Sequence, residues 1–243
     1  MNKFVGIMQP TFLPWTGYFE MIDRSDIFVL LDDVQFSKRS WHQRNKIKGP
    51  NDLIWLTVPV HSKSKRFQKI KDVLINNQEN WGNKMLKSIE VSYVKSPFFD
   101  QYFSSISFVL SQDWTFLVEL NEVLIRMLMK NLGISTPLIL SSSLDIDEDG
   151  NQRIIEICKK LSATELYDTA GAANFIDDNL FKKNGINVTY QSFNHPEYRQ
   201  CFNDYIPYMS VIDLLFNEGP KGLDLIRSGV STSSPVLQPS IQS

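Results

Sequence analysis

The side chains best equipped for chemistry are concentrated between Gln9 and Lys48. The run FSKRSWHQRNKIK carries four cations, Lys38, Arg39, Arg44 and Lys46, within nine positions, with the indole of Trp41 and the imidazole of His42 among them. An arginine fork matches phosphate oxygens in pairs, and an indole face stacks on a base or a sugar ring. A nucleoside diphosphate suits that combination. Nucleic acid suits it too, through stacked bases, although one short cluster offers a small footprint. The alternative is a solvated charged loop. His42 follows the carboxylates Asp32 and Asp33 within ten positions, and an imidazole ordinarily titrates in the range useful for proton transfer, so it is the first acid-base candidate. Gln35, Ser40 and Asn45, interleaved with this run, are counted with it as candidate ligand contacts.

Just before it, the apolar run IFVLLDDVQF ends in Asp32 and Asp33. In an open α/β sheet the C-terminal strand ends form the ligand edge, which gives a carboxylate there a role as general base or as a holder of sugar hydroxyls. Adjacent residues on a strand face opposite ways, so at most one of the pair is expected in a given site. The other then caps a turn or meets a cation such as Lys38 or Arg39. Asp33 is taken with His42 as the catalytic pair, and Asp32 as a substrate contact.

The segment MQPTFLPWTGYF reads as a strand end leaving through Gln9 into a proline-stiffened turn, with Gly17 allowing close backbone approach to a ligand. The helix that follows offers free N–H groups to an anion. This layout is similar to the strand-to-helix loop of nucleotidyltransferases and class I tRNA synthetases, with Trp15, Thr16, Gly17 and Tyr18 where that superfamily carries an H-x-G-H turn. Both histidines are missing here. Trp15 and Tyr18 are read either as ligand contacts or as an aromatic plug closing the core. A fourth cluster, FNHPEYRQCF, brings His195, Glu197, Tyr198, Arg199 and Gln200 to a turn; His195, Tyr198 and Gln200 are the substrate-binding candidates. Ser141 to Ser143 and Thr169 to Ala173 follow strand-like runs and allow backbone-first contact. The G-x-S-x-G elbow, P-loop, G-x-G-x-x-G and H-E-x-x-H motifs are absent, and no metal-ligand spacing is seen.

The elements that must position these residues alternate. Short β-branched runs at the N-terminus, at IFVLL, NDLIWLTVPV, IKDVLI, TPLIL, ELYD and INVTY interleave with helical patterns. From Trp81 to about Lys130 the spacing is helical throughout, and Gly133 fits a C-cap. The expectation is an α/β, Rossmann-like fold with a largely parallel sheet and a helical insertion at about 81–132, similar to the nucleotidyltransferase and class I synthetase superfold. Residues 1–230 are read as one domain and 231–243 as a disordered tail. With 25 basic against 27 acidic residues in 243, no global field recruits nucleic acid or membrane. The N-terminus reads as a strand rather than a signal peptide, and no apolar run reaches the length of a membrane span. Cys158 and Cys201 fit neither a disulfide framework nor a metal site and are read as buried thiols of a cytoplasmic protein.

Taken in order, QPTFLPWTGYF, SDIFVLLDDVQFSKRSWHQRNKI, WLTVP, Trp81, LGI with SSSL, the loop from Tyr167 to Ile176, HPEYRQ and YMSVIDLLFNEG resemble the WbqC-like family of polysaccharide-cluster proteins. The loop DTAGAA departs from that pattern, where a serine-glycine pair is expected. The resemblance implies a cytoplasmic role in making or decorating an activated sugar, as for O-antigens. The preferred expectation is transfer of an acyl or aminoacyl group, such as glycyl, to the amino group of a nucleotide-linked deoxyamino sugar. In it Arg39 and Arg44 hold diphosphate, Trp41 stacks, and His42 or Asp33 takes the amine proton. No cofactor is required, and the donor is an aminoacyl-tRNA or another activated acyl group. A non-catalytic sugar-nucleotide or partner-binding module is the competing class, and a nucleotidyltransferase the third.

Overall fold

The computed structural model describes residues 2–61, 67–202 and 204–230. Part of the basic stretch after Val60 and the whole polar tail from 231 onward lie outside the described residues. The sheet has five strands, all parallel: β1 (Phe4–Met8), β2 (Ile27–Leu30), β5 (Leu138–Leu140), β6 (Glu165–Asp168) and β7 (Asn187–Tyr190), in the order β5-β2-β1-β6-β7. Counted within the sheet alone this is 3-2-1-4-5, the Rossmann order. Strand β1 is central. The chain builds outward from it through α1 (Thr16–Arg24) to β2 and β5, then returns through α5 (Gly150–Lys160) to β6 on its other side, continuing through α6 (Asp178–Lys183) to β7.

Both faces of the sheet are covered, which is why its strands read as continuous apolar runs rather than alternating ones. Successive side chains still divide between two cores. Val5, Ile7, Val29 and Leu166 join Ile155, Ile157 and Phe181 on one face, whereas Phe28, Leu30 and Tyr167 join Tyr18, Phe19, Ile22 and the helices of the larger core on the other. The long helical stretch is α2 (Trp81–Tyr93), α3 (Phe99–Leu110) and α4 (Leu117–Leu132), and Gly133 ends α4 in the left-handed conformation. Helices α7 (Val211–Glu218) and α8 (Gly222–Ser228) complete the larger core.

Two strand expectations change. NDLIWLTVPV supplies β4 (Leu53–Thr57), which pairs antiparallel with β3 (Arg44–Lys48) in a separate two-stranded ribbon instead of entering the sheet. IKDVLI forms a short 3-10 turn at Ile70–Asp72 and isolated bridges, its carbonyls and amides serving the loop from Asp32 to Phe36 and the start of α4.

The loop leaving β1 has no strand or helix ladder of its own, and Leu13 within it is held at a positive φ of 44°. Two buried amides hold it. Asn45 Nδ2 donates to Leu13 O at 2.7 Å and Phe12 O at 3.3 Å. Asn121 Nδ2, fully buried on α4, donates to His42 O at 2.8 Å and Pro10 O at 3.4 Å, joining this loop to the one after β2. Replacing Asn121 by Leu leaves two buried carbonyls without this donor, and we expect a loss of about 1–3 kcal/mol. Chemical denaturation should show it as a lower midpoint with unchanged slope.

Candidate functional site

A cleft of about 1070 Å³ opens at the C-terminal edge of the sheet. Its walls come from the ends of β1 (Met8, Gln9, Thr11), β2 (Leu31, Val34) and β6 (Asp168, Thr169), the loop of Ser37 to His42, the start of α5 (Asp149 to Arg153) and the turn ending at Phe175 and Ile176. It therefore spans β1 and β6, where the strand order reverses, the place at which open α/β sheets bind ligands.

Gln9 and His42 meet in it. The backbone N–H of Ser37 donates to His42 Nδ1 at 3.3 Å, so in the neutral ring the proton sits on Nε2, which donates to Gln9 Oε1 at 2.8 Å. Burial pushes the His42 pKa down to about 4, which keeps the ring neutral. Both nitrogens are thereby engaged, and the ring fixes the Gln9 amide, whose NH2 has no partner among the described residues. Ser40 shapes the same loop, its hydroxyl donating to Ser37 O at 2.6 Å and accepting from His42 N at 3.3 Å.

Asp32 and Asp33 follow a different pattern from that of two strand residues. Strand β2 ends at Leu30, so the alternation of strand side chains no longer applies, and both carboxylates reach the Ser141 hydroxyl. Asp32 also accepts from Ser142 N at 2.9 Å and Ser142 Oγ at 2.7 Å. Asp33 is ion-paired with Arg153, neither residue being more than a tenth exposed. Burial alone would raise the Asp33 pKa, but the Ser141 hydroxyl and the Arg153 guanidinium outweigh it and hold it below the usual range. The partner of Asp33 is Arg153 rather than Lys38 or Arg39, and it is Arg153 that lines the cleft.

Two carboxylates line the cleft, Asp149 at the start of α5 and, at the end of β6, Asp168. It accepts from Thr169 N at 2.7 Å, and burial raises its pKa to about 6. Sequence reading passed over it because DTAGAA drew attention to its small residues; the signal available was its place at the end of a strand, the criterion applied to Asp32 and Asp33.

A second cavity of about 220 Å³ adjoins the cleft, sharing Met8, Thr11 and Trp41 with it and adding Trp15, Tyr18, Asn45 and Tyr208. Four residues anticipated as contacts, Trp15, Tyr18, Trp41 and Asn45, thus meet in one aromatic chamber. The Trp15 indole lies over Gly17, where an added Cβ would approach it to 2.1 Å, so this glycine admits a side chain of its own chain instead of a ligand. Behind Trp15, His195 stacks on it at 5.0 Å and meets Tyr208 at 4.1 Å. Burial pushes the His195 pKa down to about 4 as well.

The remaining candidates lie elsewhere. Tyr198 donates to the buried Asp213 at 2.8 Å, as Tyr93 does at 2.7 Å, and Gln200 Nε2 donates to Ile206 O at 2.9 Å while lining a different cavity of about 580 Å³. Arg44 lies 4.4 Å over the ring of Trp55, itself 5.6 Å from Trp41, on the open side of the ribbon. Arg39 is exposed, its N–H donating to Gln43 Oε1 at 3.2 Å, and Gln35 forms a bridge to Lys69. Cys158 is a buried free thiol, its pKa pushed up to about 12 by burial; Cys201 is free but only half-buried. Among the described residues no group of three or more His, Cys, Asp or Glu side chains could hold a metal ion, and no helix is long and apolar enough to cross a membrane.

Fold and cleft together define a Rossmann-like α/β protein with an open cleft at its switch point. The chain belongs to the WbqC-like protein family, whose model matches residues 9–225. It is 33% identical over 227 residues to the uncharacterized protein Rv1507c of Mycobacterium tuberculosis, covering 93% of this chain and 98% of that one. No solved structure matches it. Membership of the family suggests a role associated with polysaccharide biosynthesis.

The two neutral histidines have a pH consequence. Their folded pKa values lie below the unfolded value of about 6.5, so the unfolded chain binds more protons as pH falls through that window. Stability should decline from about pH 6.5 towards pH 4. Thermal melts across that range should show the decline, and the double variant His42→Asn, His195→Asn should flatten it.

Proposed function

We propose that this protein transfers an acyl or aminoacyl group, such as glycyl, to the amino group of a nucleotide-linked deoxyamino sugar in the cytoplasm, as a step in making a surface polysaccharide such as an O-antigen. The observation that carries the reading is the cleft at the β1–β6 switch point, in which a carboxylate with a raised pKa, Asp168, lines the same space as Gln9, whose amide NH2 has no partner among the described residues.

In the reaction the sugar nitrogen attacks the acyl carbonyl carbon and a C–N bond forms. The bond to the donor's leaving group breaks, and that group departs with the electron pair and is protonated. Asp168 takes the proton released by the attacking amine, a role matched to a pKa near 6. Gln9, fixed by His42, donates to the oxyanion that develops on the carbonyl oxygen. His42 is in this reading a positioning residue. Arg153, held by Asp33, and the first N–H groups of α5 make the cleft floor suitable for the nucleotide's phosphates. The donor is an activated acyl ester such as an aminoacyl-tRNA, for which the exposed Trp41 and Trp55, with the half-buried Arg44, would serve as a stacking surface.

A second reading, a sugar-nucleotide-binding module without turnover, is favoured by the full engagement of both His42 nitrogens. Mass spectrometry of nucleotide amino sugars incubated with the protein and candidate donors decides between them. A mass gain of the acyl group supports transfer; intact sugar-nucleotide binding with no product from any donor overturns it.

Asp168→Asn separates catalysis from folding. We expect turnover to fall by about 10²- to 10⁴-fold. Because the folded pKa lies above the unfolded one, the ionised carboxylate destabilises the fold as pH rises through about 4 to 6, so the same variant should be more stable at pH 7 by about 1–2 kcal/mol. The wild-type rate should rise with pH through about 6.

A further inference from the structure

Phe175 stands at the rim of the cleft with 81% of its surface exposed. One exposed phenylalanine is ordinary on a protein surface, but the backbone that carries this one is held by a dedicated contact. The Asn151 side chain, on the first turn of α5, donates from Nδ2 to Phe175 O at 3.0 Å and accepts from Asp177 N at 3.2 Å. One amide thus clasps the chain on both sides of Ile176. The stretch before Phe175 is built the opposite way. None of the five residues of the 3-10 turn Ala170–Asn174 is buried, and none of them enters either core. A Cβ added to Gly171 would meet nothing nearer than Thr169 Oγ1, at 4.0 Å. A turn of small residues with open space around it is therefore tied at its far end to an aromatic ring.

The other wall is aromatic too. In the sheet β2 and β6 flank β1, so the loops that follow them rise on either side of the β1 end. Trp41, 49% exposed, lines the cleft from the first loop, and Phe175 lines it from the second. The floor between them includes the apolar Ile7, Met8 and Leu31. A ligand with a flat or apolar face can lie on Trp41, and covering its other side with the Phe175 ring takes out of water apolar surface that is otherwise exposed. We propose that Phe175 closes over the ligand in the cleft, the turn Ala170–Asn174 moving with it while the Asn151 clasp stays as the fixed end. The loop begins at Thr169, whose N–H donates to Asp168 at 2.7 Å, so closure also withdraws that carboxylate from water. This assignment rests on the reading of the cleft as the substrate site and adds to it the residue that covers the substrate and the segment that moves.

UDP, TDP and their glucose conjugates serve as probes, with calorimetry for affinity and hydrogen exchange read by mass spectrometry for the loop. On binding, the amides of residues 170–176 should exchange about tenfold more slowly. Phe175→Ala should weaken probe binding about tenfold, Phe175→Tyr should keep the affinity, and Asn151→Ala should cost about threefold. Because Phe175 is largely exposed, Phe175→Ala should leave the melting temperature unchanged, which separates closure from folding. Probes that bind Phe175→Ala as well as the wild type, or that bind without slowing exchange in the loop, overturn the closure and leave the transfer reading standing. Slowed exchange and Phe175-dependent binding, with no acyl product from any donor, uphold the closure and sink the transfer. No binding by any of the four probes overturns the closure, and the transfer reading falls with it only where no acyl product forms.

Discussion

Two side-chain amides decide the shape of the site. The backbone between Gln9 and Trp15 turns out of a central strand into a helix while one of its residues holds an unfavourable left-handed conformation. Carbonyls in such a path would be unpaired if buried without help, and Asn45 and Asn121 take up those of Pro10, Phe12, Leu13 and His42. Because these donors sit on the ribbon and on the long helix of the insertion, parts of the chain far from the sheet fix the loop that leaves it. Gln9, Thr11 and Trp15 owe their positions to that arrangement, and so does the junction between cleft and chamber.

The buried charges follow one logic. Asp33 stays ionised because an arginine and a hydroxyl meet it, whereas Asp168 is met among the described residues by Thr169 alone and is pushed by burial towards the protonated form. Asp213, deep in the larger core, is likewise raised by burial even though two tyrosines donate to it. A carboxylate without a cation, beside a cavity, is the kind of group that binding chemistry uses, while a paired one supports its neighbours.

The sheet was readable from the sequence because its strands are short apolar runs separated by helical spacing, and because Gly133 and the patterns around Trp81 and Leu124 mark the helices. The ribbon was not, since LIWLT has the composition of a sheet strand and only its partner, the cationic RNKIK, reveals where it pairs. Of the residues around the cleft and chamber, Gln9, Trp15 and Tyr18 were read from the loop leaving a strand end, and Trp41, His42 and Asn45 from the cationic run FSKRSWHQRNKIK. Arg153 and Asp168 were not, because they come from the second half of the chain and reach the cleft only through the order of the strands. Tyr198 and Gln200 have residue types that suit a sugar, and nothing local in HPEYRQ announces that a buried Asp213 and a backbone carbonyl claim them instead.

The central position of β1 bears on how the chain is made. One edge of Phe4–Met8 finds β2 within about two dozen residues, but its other edge waits for Glu165, after the whole helical insertion has been synthesised. Until then the nascent chain carries an apolar strand with open backbone groups, a template for wrong pairings. The helices between β4 and β5 therefore act in time as well as in space: they must form without their final sheet beneath them, and the cleft closes only when the last third of the chain arrives.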